Sequence, residues 1–487
     1  MRKQVTKGQF INGTIWKLIE TVMSVGVTFI VSLILARLLS ANDFGVIALT
    51  NVFINFSEIL LQSAFSAPLI QKEKIDDVDY TSVLVFSMIM AAVLYGVVFV
   101  ISPTFARIYD QEILTKVLRV ISLIFVFQAF GSVRTAIISR QMKFKTLSLC
   151  TIISSVLSGA IGIAMAVMGF GVWALVAQKL LYQAILNIVL FIVIKWKPTF
   201  EGISFKRVTG LLSFGSKVLA SSFVSYVSDS SVSIITGKQY SVTALGYSSK
   251  GTQYPCDLSI FSFQAVATAL FPTLASYQND RHSQKMIMRK VVSVVAFLLF
   301  PMMIGLMAVS ERFIIFLLTE KWIMSVPYMK AACIYYCATP LMLINIQLYH
   351  SVGNGDARLK YESVKLFLTL ATLIIGAYIL KISLQMVFAI RAAIEVLIAA
   401  VSVVGLKNEI GYSYNEYIQD LTKPLVQTVL MAVSVMLVGR YVDLSNTMVL
   451  FLQVLAGMII YVVLSAIWKP VGYTELLKII KERRANA

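Results

Sequence analysis

Apolar runs of about 20 residues recur from one end of the chain to the other, and at about 1.5 Å per helical residue each can cross a hydrocarbon core of roughly 30 Å. In lipid the backbone has to satisfy its own N–H and C=O groups, so such runs fold as helices. Fourteen can be marked off: 11–39, 44–68, 81–101, 115–138, 147–167, 172–194, 210–238, 244–272, 289–309, 325–350, 359–380, 384–405, 424–442 and 447–468. Spans seven and eight are rich in Ser and interrupted by Gly and Pro, so twelve is the smaller count the same pattern allows. The chain has 487 residues, 58% hydrophobic and 14% charged, against roughly a quarter charged in soluble domains. The expected fold class is an all-α, polytopic membrane protein.

The first run is too long for a signal-peptide core and lacks a small-residue cleavage site after it, so it is read as a retained helix. Cys150, Cys256, Cys333 and Cys337 all fall in apolar runs without metal-ligand spacing, which makes them packing residues. The net charge of +18 would suit nucleic acid only on a soluble basic module, and the runs leave room for none. Topology accounts for it instead. With the N-terminus inside, the inner segments carry 25 Lys and Arg and the outer segments 6. That asymmetry puts both termini in the cytoplasm, with the basic loops facing anionic membrane lipids. The tail from Glu475 to Arg484 reads as a short basic interfacial helix.

An internal repeat divides the chain. Gly13, Arg37 and Gly45 recur about 201 residues later as Gly215, Lys238 and Gly246, and the second span of each half ends near a proline, Pro68 or Pro272. Six spans separate the copies, so the repeat is parallel. The expected organisation is an N-lobe at 1–200 (spans one to six), a C-lobe at 201–406 (spans seven to twelve), and a C-terminal helix pair with a basic tail at 407–487. In such folds the substrate lies between the halves.

Ionisable groups at membrane depth are costly and mark candidate function. On the first span Gly13, Lys17, Thr21, Ser24, Thr28 and Ser32 recur every three or four residues with Glu20 beside them, and the second span carries Asn51, Asn55, Glu58 and Gln62. Their counterparts are Lys217, Ser221, Ser225, Ser228 and Asp229 on span seven, and Lys250, Gln253, Asp257 and Gln264 on span eight. Each series makes one polar helix face. Small polar residues also serve as glue between helices; the charged members favour a wet cavity. Lys17, Lys179, Lys217, Lys250, Asn51, Asn55 and Gln253 are the candidate substrate-binding residues, because Lys supplies charge and donors to a phosphate. Glu20, Glu58, Asp229 and Asp257 are candidate ion-coupling carboxylates, or else partners of Lys17, Lys217 and Lys250. Of the other in-span charges, Arg119, Arg134 and Lys365 are placed near span ends, where long side chains reach headgroups. Arg391 and Glu395, four residues apart, are expected to neutralise each other.

Enzymatic constellations are poor. Two histidines, His282 and His350, leave no His-based triad or His-rich metal site, and Gly353-Asn354-Gly355-Asp356 lacks the phosphate-loop pattern and reads as a turn. Outer loops of at most about 15 residues are too short for a membrane glycan polymerase or glycosyltransferase, the remote enzymatic alternative.

Three segments carry a family resemblance: Leu35-Ala36-Arg37-Leu38-Leu39-Ser40-Ala41-Asn42-Asp43-Phe44-Gly45 closing the first hairpin, Arg140-Gln141-Met142-Lys143-Phe144-Lys145 after span four, and Ser351 to Asp356 after span ten. Together with length and span order, they resemble Wzx-type polysaccharide flippases of the multidrug/oligosaccharidyl-lipid/polysaccharide superfamily. The resemblance implies two six-helix lobes in a V shape, alternating access, and an undecaprenyl-diphosphate-linked oligosaccharide flipped outward across the bacterial inner membrane. It also implies a cationic lumen, for which Lys17, Lys179, Lys217 and Lys250 are the candidates. Drive would come from H⁺, Na⁺ or membrane potential, with no bound cofactor. Such a carrier would work alongside polysaccharide polymerase and export machinery. A cation-coupled multidrug exporter of the same superfamily is the alternative; it would want an acidic cavity, and Lys17, Lys179, Lys217, Lys238 and Lys250 speak against one.

Overall fold

A computed structural model describes residues 26–61, 75–141, 143–199 and 205–485, with Met23, Leu69 and Ile203. The side chains of 205–219, 261, 264–269 and 479–485 are outside that description, as are residues 17 and 20. All regular structure among the described residues is helical. In chain order the helices are α1 (Gly26–Leu38), α2 (Ala41–Leu61), α3 (Asp77–Ile108), α4 (Ile113–Arg140), α5 (Phe144–Val167), α6 (Val172–Val193), α7 (Phe205–Gln239), α8 (Val242–Ser276), α9 (Arg281–Leu318), α10 (Val326–Ser351), α11 (Ala357–Ile379), α12 (Leu384–Ile410), α13 (Tyr414–Tyr441), α14 (Asn446–Trp468) and α15 (Val471–Ala485). Eleven of the described helices are long and apolar enough to cross a membrane; α1, whose described part is 13 residues, and the Ser-rich α7 and α8 are not among them. The chain is a multi-pass membrane protein.

Capping chemistry places several boundaries beyond the apolar runs. Asp76 and Asp79 cap α3 reciprocally, and Ser413 and Glu416 do the same for α13. α13 therefore begins at Tyr414, ten residues before its expected apolar start at 424, and α9 begins at Arg281 behind the Asp280 cap rather than at 289. Hydropathy ends a span where charge begins; the helix continues until its last orphan N–H groups find a cap. α8 also runs past Pro272 to Ser276.

The chain forms two compact units, Met1–Gly246 and Tyr247–Ala487. The first is built on a continuous apolar core that includes Leu35, Leu49, Leu118, Phe125, Val133 and Leu175. Its glycines set helix spacing. A Cβ on Gly45 would strike the Val242 carbonyl oxygen, and one on Gly246 would strike the Ala41 carbonyl oxygen. The contact is reciprocal: Ala41 and Val242, like Gly45 and Gly246, stand one repeat of 201 residues apart. The repeat seen in sequence thus reappears as a twofold-like crossing of the start of α2 with the start of α8, with Thr243 and Asn42 hydrogen-bonded across it at 3.5 Å. α7 joins the same unit, with the Tyr226 hydroxyl donating to the Val52 carbonyl at 2.8 Å and Tyr109 to Ile234 at 3.0 Å.

In the second unit α9 is the central strut. Near its N-terminal end Arg289 makes a two-pronged bond to Asp420 at 2.8 Å on each arm, and Lys285 pairs with Glu416 at 2.8 Å. Near its other end Arg312 donates to the Gly439 carbonyl at 2.8 Å. The C-terminal pair α13 and α14 is thereby fixed to α9 at both ends, with Phe297, Met431, Val435 and Tyr461 packed between. The opposite face of α14, including Phe451, Leu455, Ile459 and Val462, is exposed and apolar, as a lipid-facing stripe should be.

Candidate functional site

A cavity of about 320 Å³ opens in the first unit, lined from α1, α2, α4, α5 and α6. α2 contributes Asn51, Asn55 and Glu58, three of the residues its polar face singles out. Lys179 faces them from α6, and the field of the Glu58 carboxylate reaches its ammonium. Thr28 of the α1 stripe completes the expected members. The site lies at mid-helix depth: Ser155 and Ser158 sit near the middle of α5, and Gln178 to Gln183 span the middle of α6. Polar groups there owe nothing to headgroups, so they must serve packing or a passenger.

Small residues let the wall helices close round the space. Gly159 of α5 lies against Val31 of α1, and Gly162 lies where a Cβ would come within 2.8 Å of the Gln178 Cβ. Gln128 of α4 is held by the Ser57 hydroxyl, which lies 2.8 Å from its Oε1. Ser158 and Ser155 are buried, whereas Asn55 and Glu58 are exposed and Lys179 half-buried.

Six polar residues of this wall went unmarked in the sequence: Gln128, Ser155, Ser158, Gln178, Tyr182 and Gln183. The signal for three of them was present, because 178, 179, 182 and 183 share one helical face, yet only the charged member stood out. Gln128 belongs to no polar series on α4, and no periodicity could have found it.

The α8 candidates form a separate row in the second unit. Lys250 is 3% exposed and donates to Gln253 Oε1 at 2.9 Å, and its charge also reaches Asp257, two turns along. Asp229 of α7 is exposed. Lys17 and Glu20 lie outside the described residues, and the Lys217 side chain is likewise not described.

Two expectations for other in-span charges are corrected. Lys365 does not reach headgroups: its ammonium lies 3.0 Å from Glu362 and 3.6 Å from Glu395, all three nearly or wholly buried. The charge of Arg391 does reach Glu395, and each has further partners: Arg391 lies 5.1 Å from the centre of the Tyr335 ring, while Glu395 takes Lys365 and a 2.8 Å bond from the Thr339 hydroxyl. Arg134 is 1% exposed and boxed by Phe130, Phe191 and Trp196, whose ring centres lie 4.5, 4.8 and 5.8 Å from its guanidinium carbon. The weakly hydrated, planar cation is stabilised by ring faces instead of by headgroups.

Polarity at mid-helix depth in a helical membrane protein can now be set beside known proteins. Residues 34–327, more than half of the chain, match the family described as polysaccharide biosynthesis protein. The chain belongs to this family. Among the family's named relatives, the teichuronic acid biosynthesis protein TuaB of Bacillus subtilis (strain 168) is 25% identical over 481 residues, covering 97% of this chain and 98% of that one. The succinoglycan biosynthesis transport protein ExoT of Rhizobium meliloti (strain 1021) is 23% identical over 488 residues, covering 97% and 96%. Among solved structures, lipid II flippase MurJ in its inward closed conformation superposes with a TM-score of 0.72 at 17% identity, covering 96% of this chain and all of that one. This member of the polysaccharide biosynthesis family therefore shares the fold of a membrane flippase.

Proposed function

We propose that the protein is a flippase that moves undecaprenyl-diphosphate-linked oligosaccharide units from the cytoplasmic to the outer leaflet of the bacterial inner membrane by alternating access of an N-lobe and a C-lobe. The observation that carries this reading is the polar cavity of Asn51, Asn55, Glu58 and Lys179 at mid-helix depth in a member of a polysaccharide biosynthesis family. A carrier of apolar compounds has no use for such a wall. A cargo with a hydrophilic head and a lipid tail does: the head replaces its hydration with side-chain bonds while the tail stays in hydrocarbon. The excess of Lys and Arg in alternate loops supports cytoplasmic termini. We assign Asp229 and Asp257 to H⁺ or Na⁺ coupling, and Lys17, Lys217 and Lys250 with Gln253 to the cargo's path. Polysaccharide polymerase and export machinery would receive the product.

Reconstitution tests this. Transfer of a fluorescent polyprenyl-diphosphate oligosaccharide across proteoliposome membranes is expected to require the protein and to fall when Asn51 and Asn55 are both replaced by Leu. Ion-driven export of a cationic dye with no transfer of the lipid-linked glycan would overturn the reading in favour of a multidrug exporter.

A further inference from the structure

The lining of the first unit's cavity says which part of such a cargo it can hold. Five carboxamides face it, Asn51, Asn55, Gln128, Gln178 and Gln183, together with the hydroxyls of Thr28, Ser155 and Ser158. Among the described lining residues one is a cation, Lys179, and one a carboxylate, Glu58, and the field of the Glu58 charge reaches the Lys179 ammonium. We propose that this cavity is a sugar-ring subsite, that the diphosphate of the same cargo is held elsewhere, and that Lys179 is the charge partner of Glu58 and not a phosphate ligand. The proposal rests on the flippase reading above.

Hydrogen-bond inventory is the first reason. A diphosphate only accepts hydrogen bonds and carries negative charge, so its site is built from donors and cations. A sugar hydroxyl both donates and accepts. A carboxamide presents an oxygen acceptor and an NH₂ donor side by side, which matches adjacent hydroxyls on a ring. Five such groups in one wall put as many acceptors as donors in front of the passenger, and half of that capacity would be wasted on phosphate. Gln128 is already fixed in orientation through Ser57, so less side-chain freedom is lost on binding.

Charge is the second reason. Among the described lining residues Lys179 is balanced by Glu58, so an incoming diphosphate would meet a carboxylate beside the one ammonium they supply. A neutral, hydroxyl-bearing ring meets no such penalty. Size agrees: about 320 Å³ is at the small end of ligand pockets and has room for roughly one or two sugar rings. A site that satisfies hydroxyls with amides also discriminates against analogues lacking them, since its own groups then lose those partners.

The decisive experiment uses full-length protein in proteoliposomes with two probes, the fluorescent lipid-linked oligosaccharide and sugar-free polyprenyl diphosphate. Gln178→Leu/Gln183→Leu is expected to slow transfer of the glycosylated probe about tenfold or more while binding of the sugar-free probe stays within about twofold. Lys179→Gln alone is expected to slow transfer about tenfold, and Glu58→Gln/Lys179→Gln to recover most of that loss, because the pair is removed together. If the double charge variant stays as impaired as Lys179→Gln and both lose binding of the sugar-free diphosphate, Lys179 is a phosphate ligand and the proposal is overturned. A labelling measurement stands independently of how well these variants fold. Asn55→Cys, modified by a maleimide, should be protected by oligosaccharide released from the transported lipid and not by inorganic diphosphate; the reverse order also overturns the proposal. Failure of the wild-type protein to move the glycosylated probe at all would instead overturn the flippase reading.

Discussion

The two units hold cavities of nearly equal size and opposite character. The first, about 320 Å³, is walled by amides, hydroxyls, Glu58 and Lys179; the second, about 350 Å³ between α9, α10, α12 and α13, is walled by Phe300, Met307, Cys337, Val403, Leu421 and similar side chains. The second unit is not short of intramembrane charge. Glu362, Lys365 and Glu395 are nearly or wholly buried, and they meet inside the contact of α10, α11 and α12. What separates a candidate site from structural polarity is therefore where the partner of a charge sits. In the second unit it sits in the same packed interface, and in the first it sits across open space.

The largest expected effect breaks that contrast directly. Lys365→Met leaves two buried carboxylates without their shared cation, and removing one member of a buried ionic cluster costs about 3–5 kcal/mol. Lys179→Met, at a partly exposed side chain that lines a cavity, should lose transport with far less loss of stability. Thermal unfolding of both variants in the same detergent checks this. Equal destabilisation would mean that Lys179 is as much a packing element as Lys365.

Much of the architecture was legible beforehand because lipid leaves few choices. Apolar length dictated helices, and their order followed from the polar breaks. The Gly45 and Gly246 repeat was visible in the sequence, but not that the two positions pack in one crossing. Boundaries were less legible, since caps such as Ser413 with Glu416 lie outside the apolar run they serve. The site was half legible. Asn51, Asn55 and Glu58 declared themselves by spacing on one helix and Lys179 by its charge, whereas Gln128, Gln178 and Gln183 are neutral, and a neutral amide in a membrane helix reads as interhelical glue until the neighbours are known. Pairing was least legible. Nothing in the spacing of Arg391 and Glu395 reveals that Lys365, thirty residues earlier, is a further partner of Glu395, because tertiary contacts decide among charges that sequence can only place on separate helices.

A middle-sized effect sharpens the repeat. Gly45→Leu and Gly246→Leu both push a side chain into a backbone carbonyl that cannot rotate away, and overpacking of this kind costs about 1–3 kcal/mol. Because the contact is reciprocal, the two variants should lower the unfolding temperature by similar amounts. A large loss at one position and none at the other would show that only one of the two repeat-related glycines needs its bare backbone.

The smallest effect on stability is the most telling for function. Ala400→Leu places an apolar side chain against the apolar cavity of the second unit, and Ser155→Leu does the same against the polar cavity of the first. Each adds methyl groups beside existing space, so the expected change in stability is within about 1.5 kcal/mol for both. Transport should diverge where stability does not. Ala400→Leu leaves the amide wall untouched and should keep most of the transfer of lipid-linked oligosaccharide, whereas Ser155→Leu removes a hydroxyl and occupies volume needed by a sugar ring, and should abolish most of it. If filling the apolar cavity stopped transport and filling the polar one did not, the passenger would have to be sought among the aliphatic side chains of the second unit, and the carboxamides of the first would be returned to the role of glue.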